Sequence, residues 1–165
     1  MFRFPLTLVC AVVLLAAAAG AQSQPTELRL TIQLDKSTYK AGEPIRCLIL
    51  LKNAGDGYVM VNSRLLVNQT TGPHELYVWI QDPERNTVGF TTKVRASRES
   101  TEFSQLLPDQ IIGLEYDLTK DHDLKAPGSY AVRAYYENHT PAPAGSPLPA
   151  WQGNVESNRL TFTIQ

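Results

Sequence analysis

Residues Leu28 to Asp35 read LRLTIQLD and alternate strictly: Leu28, Leu30, Ile32 and Leu34 against Arg29, Thr31, Gln33 and Asp35. Side chains two apart in an extended chain share a face, so this segment can bury one side and keep the other in water. The far end repeats the pattern. In NRLTFTIQ, Leu160, Phe162 and Ile164 oppose Arg159, Thr161 and Thr163, and in SYAVRAYYE, Tyr130, Val132, Ala134 and Tyr136 oppose Ala131, Arg133 and Tyr135. These are half-buried strands of antiparallel sheet.

Working outward, PIRCLILLK is apolar on both sides and reads as a central strand, with Ile45, Cys47, Ile49 and Leu51 facing one way and Leu48 and Leu50 the other. ELYVWIQD and IIGLEYDL add two more strands, and Tyr58 to Val61, Thr87 to Thr92 and Glu102 to Leu106 are shorter candidates. Beyond the first 21 residues, apolar residues nowhere recur at helical spacing. Gly, Pro, Asn and Asp punctuate the strands, as in Lys40-Ala41-Gly42-Glu43-Pro44, Asp82-Pro83 and Pro127-Gly128. The pattern predicts an all-β fold: an antiparallel β-sandwich of seven to nine strands over residues 28–165. Two connections are long, Asn53 to His74 and the Pro-Ala-rich Asn138 to Gly153, and loops of that length usually carry function.

The N-terminus is read apart from that domain. Arg3 precedes the apolar run Leu6 to Ala19 and the small-x-small step Ala19-Gly20-Ala21, the pattern of a secretory signal peptide over residues 1–21. The run is short for a membrane span, which needs roughly 20 apolar residues, so no stable membrane insertion is expected after cleavage. A flexible stretch, 22–27, would lead into the sandwich. Removing 21 of 165 residues leaves 144, with 14 basic residues against 16 acidic ones. That balance, without a Lys/Arg cluster, argues against nucleic acid as a partner. Cys10 leaves with the signal, so Cys47 stands alone and cannot form an internal disulfide. The expected location is periplasmic or extracellular.

Three residues then fall into a recognisable order. Cys47 lies in the second strong strand, Trp79 in the next and Tyr130 at the start of the penultimate one, two residues before Val132. The arrangement resembles the immunoglobulin-like sandwich, whose strands B and F carry paired cysteines, whose strand C carries a core Trp and whose corner Tyr precedes the second cysteine by two. The resemblance implies a core built on Cys47, Trp79, Tyr130 and Val132, with Val132 in the place of the second cysteine and hence no inter-sheet disulfide. It also implies that the Tyr130 hydroxyl bonds main chain within Leu124 to Pro127. More locally, Leu34 to Gly55 is similar to the opening of macroglobulin-type domains and of the bacterial proteinase-inhibitor domain of Ig-like fold, with a Tyr-x-x-Gly-Glu turn at Tyr39 to Glu43, an apolar strand and an Asn-x-Gly exit at Asn53.

Chemistry is sparse. Asp121-His122-Asp123 invites a metal or acid-base reading, but consecutive loop side chains do not converge on one ion and His74 and His139 fall in other loops, so a solvated turn is expected. No Gly-x-Ser-x-Gly elbow, phosphate loop or Cys-x-x-Cys occurs, and Cys47 reads as inert packing. No cofactor is expected. Asn68-Gln69-Thr70 and Asn138-His139-Thr140 match the glycosylation pattern, which matters only in a eukaryotic secretory route. What remains is surface for a protein partner: His139, Pro147, Leu148 and Trp151 in the last long loop, with Trp151 either covering the sandwich edge or projecting as an anchor. The expected role is a non-catalytic interaction or structural module. The resemblance at Tyr39 to Ile45 implies an alternative, protease inhibition by an exposed loop.

Overall fold

The computed structural model describes residues 27–67, 75–91 and 102–165. The N-terminal apolar run, the Asn68 sequon, His74 and Thr92 lie outside them. Ten strands are described: β1 (Leu28–Leu34), β2 (Thr38–Tyr39), β3 (Arg46–Asn53), β4 (Val59–Asn62), β5 (Leu76–Gln81), β6 (Phe103–Leu106), β7 (Ile111–Asp117), β8 (Gly128–Asn138), β9 (Gly153–Glu156) and β10 (Leu160–Ile164), with one 3-10 turn at Leu118–Lys120.

One sheet runs β1-β3-β7 and the other β2-β10-β8-β5, with β9 also on β8. Every pairing is antiparallel except the short β10–β2 contact. This is the strand order A-B-E against G-F-C of an immunoglobulin-like sandwich. β4 and β6 form a separate pair.

Period two decides which residues fill the space between the sheets. Leu28, Leu30 and Ile32 of β1, Cys47, Ile49 and Leu51 of β3, Leu76, Val78 and Ile80 of β5 and Tyr130, Val132, Ala134 and Tyr136 of β8 are all buried. Tyr130 stacks on Phe162 of β10 at 5.3 Å and 10°, and Tyr39 meets the same ring edge-on at 5.9 Å. Such ring pairs add roughly 0.5–1.5 kcal/mol beyond their area burial. The Tyr130 hydroxyl donates to the Ala126 carbonyl at 2.8 Å, inside the stretch expected for a tyrosine corner. Cys47 is a free, fully buried thiol.

Several expectations are corrected. Trp79 is not core: Leu76, Val78 and Ile80 hold the inward positions of β5, and Trp79 is one residue out of phase. Its indole lies half-buried on the outer face, where Nε1 donates to Thr87 Oγ1 at 3.1 Å and the Arg159 guanidinium sits 5.8 Å from the ring. Thr87 to Thr92 is no strand over its described residues, which make only isolated bridges at Thr87 and Phe90. Thr38–Tyr39 and Gly153–Glu156, which the alternation did not single out, are short strands that begin the expected turn and end the expected long loop, and they raise the count above nine. Glu27, expected in the flexible N-terminus, already accepts the Ala54 N–H at 2.7 Å.

The Tyr39-to-Glu43 turn has a structural explanation. Tyr39 is buried and its hydroxyl donates to Asp35 Oδ1 (2.6 Å) and the Lys36 carbonyl (2.9 Å), which holds the chain where it crosses from one sheet to the other. Gly42 takes a φ of 77°, where other residues are strained. The Glu43 carboxylate accepts from Lys40 N and pairs with Lys36.

Candidate functional site

The described parts of both long connections meet at one end of the sandwich, where side chains fasten them. Leaving β3, buried Asn53 donates to the Gly57 and Leu106 carbonyls (2.7 and 3.1 Å) and accepts from Gly55 N (3.1 Å), which satisfies its carboxamide and turns the chain toward β4. β4 is buried at all four positions. The Tyr136 hydroxyl rivets it to β8 by donating to the Asn62 carbonyl (3.1 Å) and accepting from the Asn62 N–H (3.0 Å).

Next to that rivet lies a buried ion pair that the sequence reading did not identify. Glu75 is 3% exposed and accepts from Asn62 Nδ2 (3.0 Å), Arg64 Nε (3.1 Å), Arg64 Nη2 (2.5 Å) and Leu66 N (2.9 Å). A buried carboxylate survives only when its lone pairs are met in this way. Nothing local in the sequence joins Arg64 to Glu75, eleven residues apart.

The second long connection is closed at its neck by one side chain. Asn138 Nδ2 donates to the Thr140 carbonyl (3.0 Å) and to the Trp151 carbonyl (2.6 Å), and its Oδ1 accepts from Thr140 N (3.2 Å). The Trp151 N–H donates to the Met60 carbonyl at 2.7 Å and Ala150 bridges Met60, so β4 holds the returning limb. Between the limbs a turn forms where Ser146 N donates to the Pro143 carbonyl, with Gly145 at a φ of 87°. Residues 141–150 therefore form a displayed loop with an open concavity of about 310 Å³, lined by Pro141, Pro143, Pro147 and Leu148 among others.

The four residues expected to bind a partner separate. Pro147 is exposed and Leu148 half-buried, both on the displayed loop. His139 is exposed just beyond the neck, 3.9 Å from Glu137. Trp151 is not a projecting anchor: its ring folds back 5.8 Å from Tyr136 and lies against Gly153, where a Cβ would meet it at 3.1 Å.

At the opposite end, Asp121-His122-Asp123 is not a fully solvated turn. Asp123 is exposed, but His122 is 2% exposed, tucked under Phe90 at 4.9 Å with Nδ1 3.0 Å from the Leu118 carbonyl. Burial lowers its pKa, against the Leu118 and Val78 main chain and the Asp121 charge. Asp121 accepts from the Tyr116 hydroxyl at 2.6 Å and Asp123 pairs with Lys125 at 3.2 Å. Among the described residues no three His, Cys, Asp or Glu side chains converge as a metal site. Burial raises the Cys47 thiol to about 12, so no thiolate is present near neutral pH.

No family model matches the chain. No curated protein matches it either. Among solved structures it is similar to a β-glucosidase from Erythrobacter marinus, at 12% identity and a TM-score of 0.38, over 85% of this chain. The chain spans 16% of that enzyme's length. A likeness of this size carries no inference about activity. Among the described residues no helix is long and apolar enough to cross a membrane.

Proposed function

We propose that the protein is an exported, non-catalytic Ig-like module that binds a protein partner through the loop 141–150. The observation that carries this reading is the Asn138 clamp: one carboxamide joins both limbs of the loop, so its proline-rich tip is held ready. A segment ordered before it binds loses less entropy on binding, which is the general advantage of preorganisation. Prolines add to this by restricting φ along the segment. The hydrophobic N-terminal run supports export to the periplasm or beyond the cell.

The experiment is affinity capture from the producing cell, with the wild-type protein beside a variant whose residues 141–150 are replaced by Gly and Ser. The reading expects proteins retained by the wild type to be lost with the replaced loop while the thermal unfolding midpoint is kept. Identical sets would refute it.

The clamped loop also favours a second reading, protease inhibition, because a rigid exposed segment can occupy a protease cleft without being cleaved. Titration of serine, cysteine and metalloproteases with the purified protein separates the two. Stoichiometric loss of activity, abolished by the loop replacement, would select inhibition.

A further inference from the structure

The outer edge of β5 is closed rung by rung. At its start the Leu76 N–H donates to the Leu66 carbonyl at 3.0 Å, and at its end the Ile80 carbonyl accepts from Val88 at 2.9 Å. Alternate residues of a strand present their main chain to the same edge, so Val78 belongs to this edge as well, and its main chain lies beside His122. The imidazole therefore lies beside the middle rung.

Facing a carbonyl, His122 Nδ1 carries the proton and donates to Leu118. Nε2 is buried without a hydrogen-bond partner among the described residues. Phe90 covers the ring at 4.9 Å, leans on Tyr77 at 5.8 Å, and is tied down by its bridge to His122 and by the Thr91 N–H donating to the Asp121 carbonyl at 2.8 Å. The one charge among the described residues that bears on the ring is Asp121, whose carboxylate is engaged by Tyr116. Asp123 pairs with Lys125, β5 offers only the Val78 main chain, and on the segment after β5 Asp82 is occupied by Asn86. Among the described residues a buried imidazolium here has no counter-ion that is free to turn toward Nε2; the Val78 main chain favours the charge, and burial outweighs it.

We propose that His122 and Phe90 form an acid-released latch beside the β5 edge: protonating the imidazole drives it into water, Phe90 lifts with it, and the bridge between Phe90 and His122 opens. The direction follows from what each group stands on. Leu118 and Val78 are core residues that cannot follow the ring, whereas Phe90, Thr91 and Asp121 lie at the surface, half-buried or exposed. Surface segments open at much lower free energy than core strands. Burial already disfavours the charged ring, so acid shifts the balance toward the open form.

The test is NMR on the intact, isotope-labelled protein, following the His122 side chain together with exchange of the Thr91 and Val88 amides, corrected for the intrinsic pH dependence. The latch requires His122 to titrate below the ordinary imidazole range, with Thr91 and Val88 losing protection at least tenfold through that titration while Tyr130 does not. His122→Phe, which fills the site without a charge, should make the Thr91 protection flat with pH. If that variant does not fold, Phe90→Leu gives the second reading and should move the His122 titration up toward the ordinary imidazole range. The proposal is overturned if His122 titrates with Thr91 unchanged, if it stays neutral down to acid unfolding, if Thr91 opens equally in His122→Phe, or if Phe90→Leu leaves the His122 titration where it was.

Discussion

Asn158 closes the free edge of β1 by engaging both main-chain groups of Ile32: its Oδ1 accepts the Ile32 N–H at 2.8 Å and its Nδ2 donates to the Ile32 carbonyl at 3.1 Å. The carboxamide does there what the next strand's peptide would do. It reaches across because the last strand is broken into β9 and β10, with Ser157 carrying the β8 ladder over the break through Ala134. Asn158→Ala removes two hydrogen bonds, each worth about 1 kcal/mol net. A loss of about 1–3 kcal/mol is expected, read as a lower urea midpoint at unchanged slope. Because an open edge recruits other strands, the variant should also self-associate at concentrations where the wild type does not, as seen by light scattering.

The Arg64–Glu75 pair predicts a larger effect. Arg64→Ala leaves a carboxylate that is 3% exposed without its charge partner, and breaking a buried pair from one side costs about 3–5 kcal/mol. A double-mutant cycle with Glu75→Gln should show a coupling well above the few tenths of a kcal/mol typical of independent sites. Additive single effects would contradict the pair's role in fastening the first long connection.

Two aromatic residues that sequence reasoning grouped together should behave differently. Tyr130→Phe keeps the stacked ring and loses only the bond to Ala126, a cost of about 0.5–1.5 kcal/mol, whereas Tyr130→Ala removes a core side chain and should cost about 3–5 kcal/mol. Trp79→Ala, on the outer face, should cost less than Tyr130→Ala. Equal losses in chemical denaturation would restore Trp79 to the core.

Stability should depend on pH with a definite sign. The folded-state pKa of His122 is depressed below the ordinary 6.5, so between the two values the unfolded chain binds more protons and acid favours unfolding. Its contribution is fully present above the unfolded pKa and is lost as pH falls toward the folded one. Glu43 and Asp109, lowered by Lys36 and Lys52, act in a separate window, below the ordinary carboxylate range. Urea midpoints across about pH 5 to 7.5 should rise with pH in the wild type and lose that slope in His122→Phe.

How much was legible follows from the range of the interactions. The alternation of Leu28 to Leu34 and Tyr130 to Tyr136 is local, so the strands and their buried faces could be read directly, while the tyrosine corner came from the immunoglobulin-like resemblance. Parity alone already set Trp79 opposite Leu76, Val78 and Ile80, and the family resemblance led away from it. His122 looked solvated because its burial depends on Phe90, 32 positions earlier, whose bridge no local pattern announces. Of the displayed loop, the Asn138-to-Thr140 contact is a local Asn turn that composition could suggest, but the Trp151 half of the clamp is long-range. The same holds for Arg64 with Glu75 and for Asn158 with Ile32.

The proposed role rests on a loop held in place before any partner arrives, and backbone 15N relaxation of residues 141–150 measures this directly. The clamp predicts that the Gly145, Leu148 and Ala150 amides are ordered nearly as well as those of β8 in the free protein, and that Asn138→Ala sets them moving while β8 stays rigid. Order parameters in the wild type at the level of a free chain, below about 0.6, would contradict it.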